Sequence, residues 1–241
     1  MSVFALLGSG EFLPWSAEVD RWVLERASGD GRVLILPTAS AKEGDEVFDG
    51  WASKGLAHYE AAGIPAEVVR LKTREDAARP DFVERVEAAS VAYFSGGNPA
   101  FLSSTIRDTP FWTALRAAMD RGLAYVGCSA GVACLGDQAP DSDAREFGDD
   151  LWQPGLGVFP GVWFGPHWDA LDSYVPGLTG FIVASVPAGR TLLAIDEDTA
   201  VVGDGDEWSV VGVSGAHVYR DGYWSHHVRG ASFTLTTPPP G

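Results

Sequence analysis

The chain of 241 residues is almost free of cysteine: Cys128 and Cys134 are the only two. Two thiols this close in sequence cannot make a disulfide framework, and they fit a reducing compartment. Basic residues are scarce as well, 17 against 33 acidic ones, for a net charge of −16. A surface of that sign repels phosphate backbones and anionic lipid, which argues against nucleic acid and membranes as partners. No apolar run reaches the ~18 residues needed to cross a bilayer. Residues 1–12 are apolar but have neither a basic start nor a small-residue cleavage site, so no secretory signal is read there and a cytoplasmic location is expected. Metal-ligand spacings are missing, since the pair His226-His227 is too little to claim one. Gly8-Ser9-Gly10 lacks the third glycine and the lysine of a phosphate loop. Neither a metal nor a cofactor is expected.

What the chain does have is apolar residues in short, continuous runs. Val3 to Leu7, Val33 to Leu36, Val68 to Leu71, Val91 to Phe94 and Leu123 to Val126 each read as a strand buried on both faces. Helical patterns separate them: Ser16 to Ala27, Val47 to Ala62, Pro80 to Ala89 and Thr109 to Arg121. This alternation predicts an α/β fold with a mostly parallel sheet covered by helices on both faces. The loops at 8–11, 37–40, 95–99 and 127–131 should open at the carboxyl edge, where such sheets bind ligands. Residues 136–155 are irregular and acidic and read as a loop near that edge. From about residue 191 short strands and turns take over, with Asp221-Gly222 as a hairpin turn, which predicts an antiparallel extension. A single domain over 1–235 is expected, with a frayed proline-rich tail at 236–241.

Gly127-Cys128-Ser129-Ala130-Gly131 carries the strongest chemical signal. It reads G-x-S-x-G between a strand and a helical stretch, Val132 to Leu135, the context of a nucleophile elbow. Glycines two before and two after the apex let strand and helix approach without clashing Cβ atoms. That spacing selects Ser129 as the apex over Cys128, which is flanked by Val126 and Ala130 at the same offsets. The Ala130 N–H then faces the position where an oxyanion would form.

A serine nucleophile needs a base, and histidine is the usual one. Of the five histidines, His58 falls inside a helix and reads as a surface residue. His217 sits in a strand, and His226 and His227 lie near the C-terminus. His167 follows an apolar segment, Val162-Trp163-Phe164, in the loop Gly165-Pro166-His167-Trp168-Asp169, which is the right place for a base.

These motifs, together with Gly96-Gly97-Asn98, Gly155-Leu156-Gly157 and Ile195-Asp196-Glu197-Asp198-Thr199-Ala200, resemble the peptidase E and cyanophycinase family of serine peptidases over roughly residues 1–220. The resemblance implies a class I glutamine-amidotransferase-like fold with a Ser-His-acid set. It makes Ser129 the nucleophile, His167 the base, and the Gly97 N–H the partner of Ala130 in an oxyanion hole. In the family the acid lies between serine and histidine. Glu146 is the preferred choice here, with Asp143 and Asp141 open. Asn98, Glu11 and Asp169 are assigned to substrate binding, although Glu11 could instead orient the Gly-Gly-Asn loop. The residues around His167 depart from cyanophycinases, which carry Asp-Gln before the histidine and an arginine after it.

The expected activity is hydrolysis of short peptides, in the manner of a dipeptidase or aminopeptidase, by a monomer or homodimer. Two alternatives stand beside it: an isopeptidase or amidase of the cyanophycinase type, and a ligand-binding relative without catalysis.

Overall fold

In the computed structural model, strand β1 (Val3–Leu7) buries all five of its residues, and the strands beside it do the same. The structure describes residues 2–144, 148–203 and 207–235. The same sheet holds β2 (Val33–Leu36), the half-buried β3 (Ala66–Val68), β4 (Val91–Phe94) and β5 (Ala124–Cys128). Their spatial order is β1-β5-β4-β2-β3, and every pair is parallel.

Alternate residues of each strand enter two different cores, which is why the runs read as continuous rather than alternating. Leu6, Leu34, Leu36, Ala92, Phe94 and Tyr125 face one core, which receives Phe82 and Val86 from the helix Pro80–Ala88 and Leu115 from the helix Pro110–Asp120. Val3, Ala5, Leu7, Ile35, Tyr93 and Val126 face the other, against Val19 and Val23 of the helix Ala17–Leu24 and Tyr59 of the helix Asp45–Ala61. The sheet is therefore covered on both faces, as expected.

The later strands divide among three sheets. Gln138–Pro140 (β6) and Trp152–Pro154 (β7) pair with each other within the segment read from sequence as irregular. Then come β8 (Val162–Gly165), β9 (Thr191–Ile195), β10 (Thr199–Gly203), β11 (Glu207–Gly212), β12 (Gly215–Arg220), β13 (Tyr223–Val228) and β14 (Ser232–Thr234). Strands β10, β11 and β14 extend the main sheet antiparallel from β1. Strands β8, β9, β12 and β13 form a separate four-stranded sheet. The antiparallel extension is real, but it accounts for only part of the C-terminal third. The β8–β9 pair is parallel, because a crossover through the helices Leu171–Tyr174 and Leu178–Ser185 joins the two strands. Asp221-Gly222 is the turn of the β12–β13 hairpin. The tail at 236–241 lies outside the described residues.

Candidate active site

Strand β5 ends at Cys128, and the chain turns at Ser129 into a short helix, Ala130–Ala133. The turn puts Ser129 at φ 52°, ψ −107°, a region that a residue with a Cβ rarely occupies. Holding it there costs roughly 1–3 kcal/mol, offset by the surrounding structure. The Ser129 N–H donates to Leu7 O at 3.0 Å, tying the turn to β1. The flanking glycines are sterically required. A Cβ on Gly127 would lie 2.4 Å from Gly131 O, and one on Gly131 would lie 2.4 Å from Phe94 O.

His167 is reached from the other sheet. It follows β8 and also has positive φ, 57°. Its Nε2 is 2.8 Å from Ser129 Oγ, and its Nδ1 is 2.9 Å from Glu197 Oε1. The parallel pairing of β8 with β9 brings these groups together. Gly165 stands opposite Ala194, so both strands end at the same edge. His167 comes from the loop after one strand and Glu197 from the loop after the other. Trp168 N–H donates to Ile195 O at 3.0 Å, and Glu197 N–H donates to Asp169 Oδ1 at 2.8 Å, which fixes the two loops to each other.

A carboxylate on Nδ1 assigns the imidazole proton to that nitrogen and leaves Nε2 as an acceptor for the serine hydroxyl. The hydrogen bond from His167 holds the Glu197 carboxyl below the usual carboxylate range, ahead of the opposing effect of burial; Tyr174 Oη, donating to Glu197 Oε1 at 2.8 Å, adds to the lowering. The same contact raises the Tyr174 phenol.

Beside the serine, Gly97 has φ 138°, and a Cβ on it would lie 2.3 Å from the Ala39 carbonyl carbon, so this close approach demands glycine. Gly97, Ser129, Ala130 and His167 share the wall of a cavity of about 300 Å³. Among the described residues the N–H groups of Gly97 and Ala130 meet no acceptor within the protein. The rest of the wall is mainly apolar, including Ala133, Leu151, Trp152, Phe164, Leu171 and Ile182.

The profile of peptidase family S51 matches residues 4–211. The chain belongs to peptidase family S51. A peptidase from an acI-B1 Actinobacterium, solved by crystallography, superposes on this S51 peptidase with a TM-score of 0.89 at 29% identity, covering 98% of this chain and 97% of that one. A candidate peptidase E from Listeria monocytogenes EGD-e shares the fold at TM-score 0.63 and 20% identity, over 89% of this chain and 100% of the other. The cyanophycinase of Nostoc sp. is 25% identical over 214 residues, spanning 84% of this chain and 68% of that protein. The cyanophycinase of Geminocystis herdmanii is 26% identical over 200 residues, 80% of this chain and 70% of that one.

In this S51 peptidase the carboxylate on His167 is Glu197, which lies beyond the histidine in sequence, whereas the acid was expected between serine and histidine. Glu146 lies outside the described residues. The two alternatives are engaged elsewhere: Asp143 pairs with Lys42 Nζ, and Asp141 Oδ1 accepts from Asn98 Nδ2 at 2.6 Å. Glu197 was within the motif Ile195–Ala200, and its position at the end of an apolar run was visible. What the sequence did not show is that this run pairs in parallel with the one leading to His167.

The three expected substrate contacts also have other partners. Glu11 is buried behind the Gly-Gly-Asn loop, where Oε1 accepts from Gly96 N–H and Oε2 from the Cys128 thiol, both at 3.0 Å. Of its two expected roles the geometry favours orienting the loop. Asn98 caps the helix Pro99–Ile106, its Oδ1 accepting from Phe101 N–H at 3.0 Å. Asp169 holds the Glu197 backbone. His58 is not on the open surface: it is largely buried and paired with Asp20. His217 sits in β12, with Nε2 3.0 Å from Asp196 Oδ1. Among the described residues no group of three or more His, Cys, Asp or Glu side chains is placed to hold a metal ion, and no helix is long and apolar enough to cross a membrane.

Proposed function

We propose that this S51 peptidase is a serine peptidase of short peptides. The reading rests chiefly on one observation, the continuous contact from Ser129 Oγ to His167 Nε2 at 2.8 Å and from His167 Nδ1 to Glu197 at 2.9 Å. In this reaction Ser129 Oγ adds to the peptide carbonyl carbon while its proton passes to His167 Nε2. Glu197 holds the imidazole in the receptive tautomer and balances the imidazolium that forms. The carbonyl oxygen becomes an oxyanion, held by the N–H groups of Gly97 and Ala130. Each such donor is worth about 3–4 kcal/mol of barrier in comparable sites. Collapse of the intermediate breaks the C–N bond, and the leaving amine takes the proton from His167. A water molecule, deprotonated by the same histidine, then releases the acyl group from Ser129.

Short peptides suit the cavity, whose volume of about 300 Å³ falls at the small end of small-molecule sites. Cys128 and Cys134 are free and buried, which suits work in the reducing cytoplasm. The test is hydrolysis of a dipeptide panel, including a β-aspartyl-linked member, by wild type and Ser129→Ala of matched circular dichroism. Loss of all turnover in Ser129→Ala is expected, and undiminished turnover would remove the serine from the mechanism. Selective cleavage of the β-aspartyl member would instead make the protein an isopeptidase.

A further inference from the structure

The cavity beside Ser129 has a chemical bias. Among the described residues its wall carries a single carboxylate, Asp141, and no lysine or arginine. The other carboxylates near the site are engaged or turned away. Glu197 is taken by His167 and Tyr174, Asp169 by the Glu197 backbone, and Asp172 by the Thr179 N–H and hydroxyl. Asp143 is paired with Lys42, whose charge also acts on Asp141.

Asp141 is held but not neutralised. Its backbone N–H donates to Leu151 O at 2.7 Å, fixing the residue at the cavity rim. Its Oδ1 accepts from Asn98 Nδ2 and from Asp143 N–H. Its Oδ2 accepts no hydrogen bond among the described residues. The Asn98 hydrogen bond keeps the carboxyl ionised to lower pH than usual. An ionised oxygen that faces a mainly apolar cavity is suited to receive a cation by a charge-assisted hydrogen bond.

Asn98 joins this carboxylate to the catalytic loop. One end of its amide caps the helix after the Gly-Gly-Asn turn and the other donates to Asp141, so a single side chain links the proposed amine and oxyanion positions. The remaining wall, from Ala133 and Leu151 to Phe164 and Ile182, is mainly apolar; the Ser142 hydroxyl is its polar exception, and the Trp152 indole N–H is spent on Ser185. Seating an aspartyl carboxylate there would place like charge beside Asp141 and leave the substrate ion without a cationic partner among the described residues.

We propose that the site takes peptides with a free N-terminal amine and an apolar first side chain, with Asp141 binding the ammonium, Asn98 positioning Asp141 and the apolar wall receiving the side chain. This rests on Ser129 being the nucleophile, so the experiment separates the two ideas. A fluorophosphonate probe reports on the serine independently of peptide preference. Wild type is labelled, then assayed on Leu-, Phe-, Asp- and Lys-first dipeptides sharing one second residue, and on the N-acetylated Leu member.

The expected result is labelling at Ser129, kcat/KM for Leu or Phe at least ~100-fold above Asp, and a loss of about the same size on acetylation, consistent with removal of a charge-assisted contact of ~2–3 kcal/mol. Asp141→Asn should raise KM for the free-amine substrate with less change in kcat, and narrow the gap to the acetylated one. Asn98→Ala should move KM in the same direction by a smaller factor. The acetylation ratio is measured in wild type and does not depend on either variant folding. Labelling with a preference for Asp first overturns the assignment while leaving the serine mechanism intact, and so does labelling with indifference to acetylation. Absence of both labelling and turnover overturns the serine mechanism and this assignment with it.

Discussion

Glu197 stands 2.9 Å from His167 Nδ1, although it comes from the turn between β9 and β10 while the histidine follows β8. On the proposed mechanism, two loops from neighbouring parallel strands thus supply the base and the group that orients it. Replacing Glu197 by Gln keeps the shape but removes the charge and permits the wrong tautomer. We expect kcat to fall on the order of 10⁴-fold with little change in KM, measured by steady-state kinetics on the best dipeptide. Glu146→Gln belongs in the same experiment, and a larger loss there would move the acid back to the position expected from sequence.

Gly97 and Gly96 are adjacent but not equivalent. A Cβ at Gly97 would meet the Ala39 backbone at 2.3 Å, while one at Gly96 would find only ordinary contacts, 3.5 Å or more away. Gly97→Ala should therefore destabilise by about 1–3 kcal/mol and displace an N–H from the oxyanion position. Gly96→Ala should shift stability far less. Urea midpoints of the two variants decide between them, and equal midpoints would remove the steric argument.

His58 and Asp20 form a buried pair at 2.6 Å, and the Asp20 hydrogen bond raises the histidine above its ordinary value against the pull of burial. A raised folded-state pKa means that the protonated form is favoured by folding. Its contribution to stability is complete below the unfolded value of about 6.5 and is lost as pH rises through the folded value. Unfolding free energy should therefore fall between pH 6 and pH 9 more steeply in wild type than in His58→Gln. Chemical denaturation across that range checks the slope, and parallel profiles would refute it.

Tyr174 shares Glu197 Oε1 with His167, but the residue is 62% exposed. Water can replace its hydroxyl. Tyr174→Phe should lower kcat by about 2- to 5-fold, the equivalent of a solvent-screened hydrogen bond. A loss as large as that of Glu197→Gln would make the tyrosine an essential part of the site.

Four of the five parallel strands were legible because residues buried on both faces leave a continuous apolar signature, as in Val33–Leu36 and Val91–Phe94; β3 was displaced, since the apolar run read at Val68 to Leu71 overlaps the half-buried strand Ala66–Val68 only at Val68. The elbow was legible because its geometry needs glycine at fixed offsets, and His167 because a strand-end loop is a local feature. The helix Pro99–Ile106 also had a readable start, an asparagine cap followed by proline, but was passed over beside the glycines. Glu197 was a different case. Its place on the imidazole depends on β8 and β9 pairing in parallel across two intervening helices, and no local pattern encodes that. His58 was misread for the same reason: its partner Asp20 lies on another helix.

The turn that carries Glu197 is also the joint between the two sheets, entering from β9 and leaving along β10, which lies antiparallel against β1. On the assignment given above, timing follows from this placement. A growing chain that has reached residue 190 holds the serine and the histidine, yet the group that readies the histidine has still to be synthesised, and the strand that seats it against β1 comes later still. Full cleaving power would then arrive only after β9 and β10 have been made and β10 has met β1, so a nascent chain still short of Glu197 would lack it.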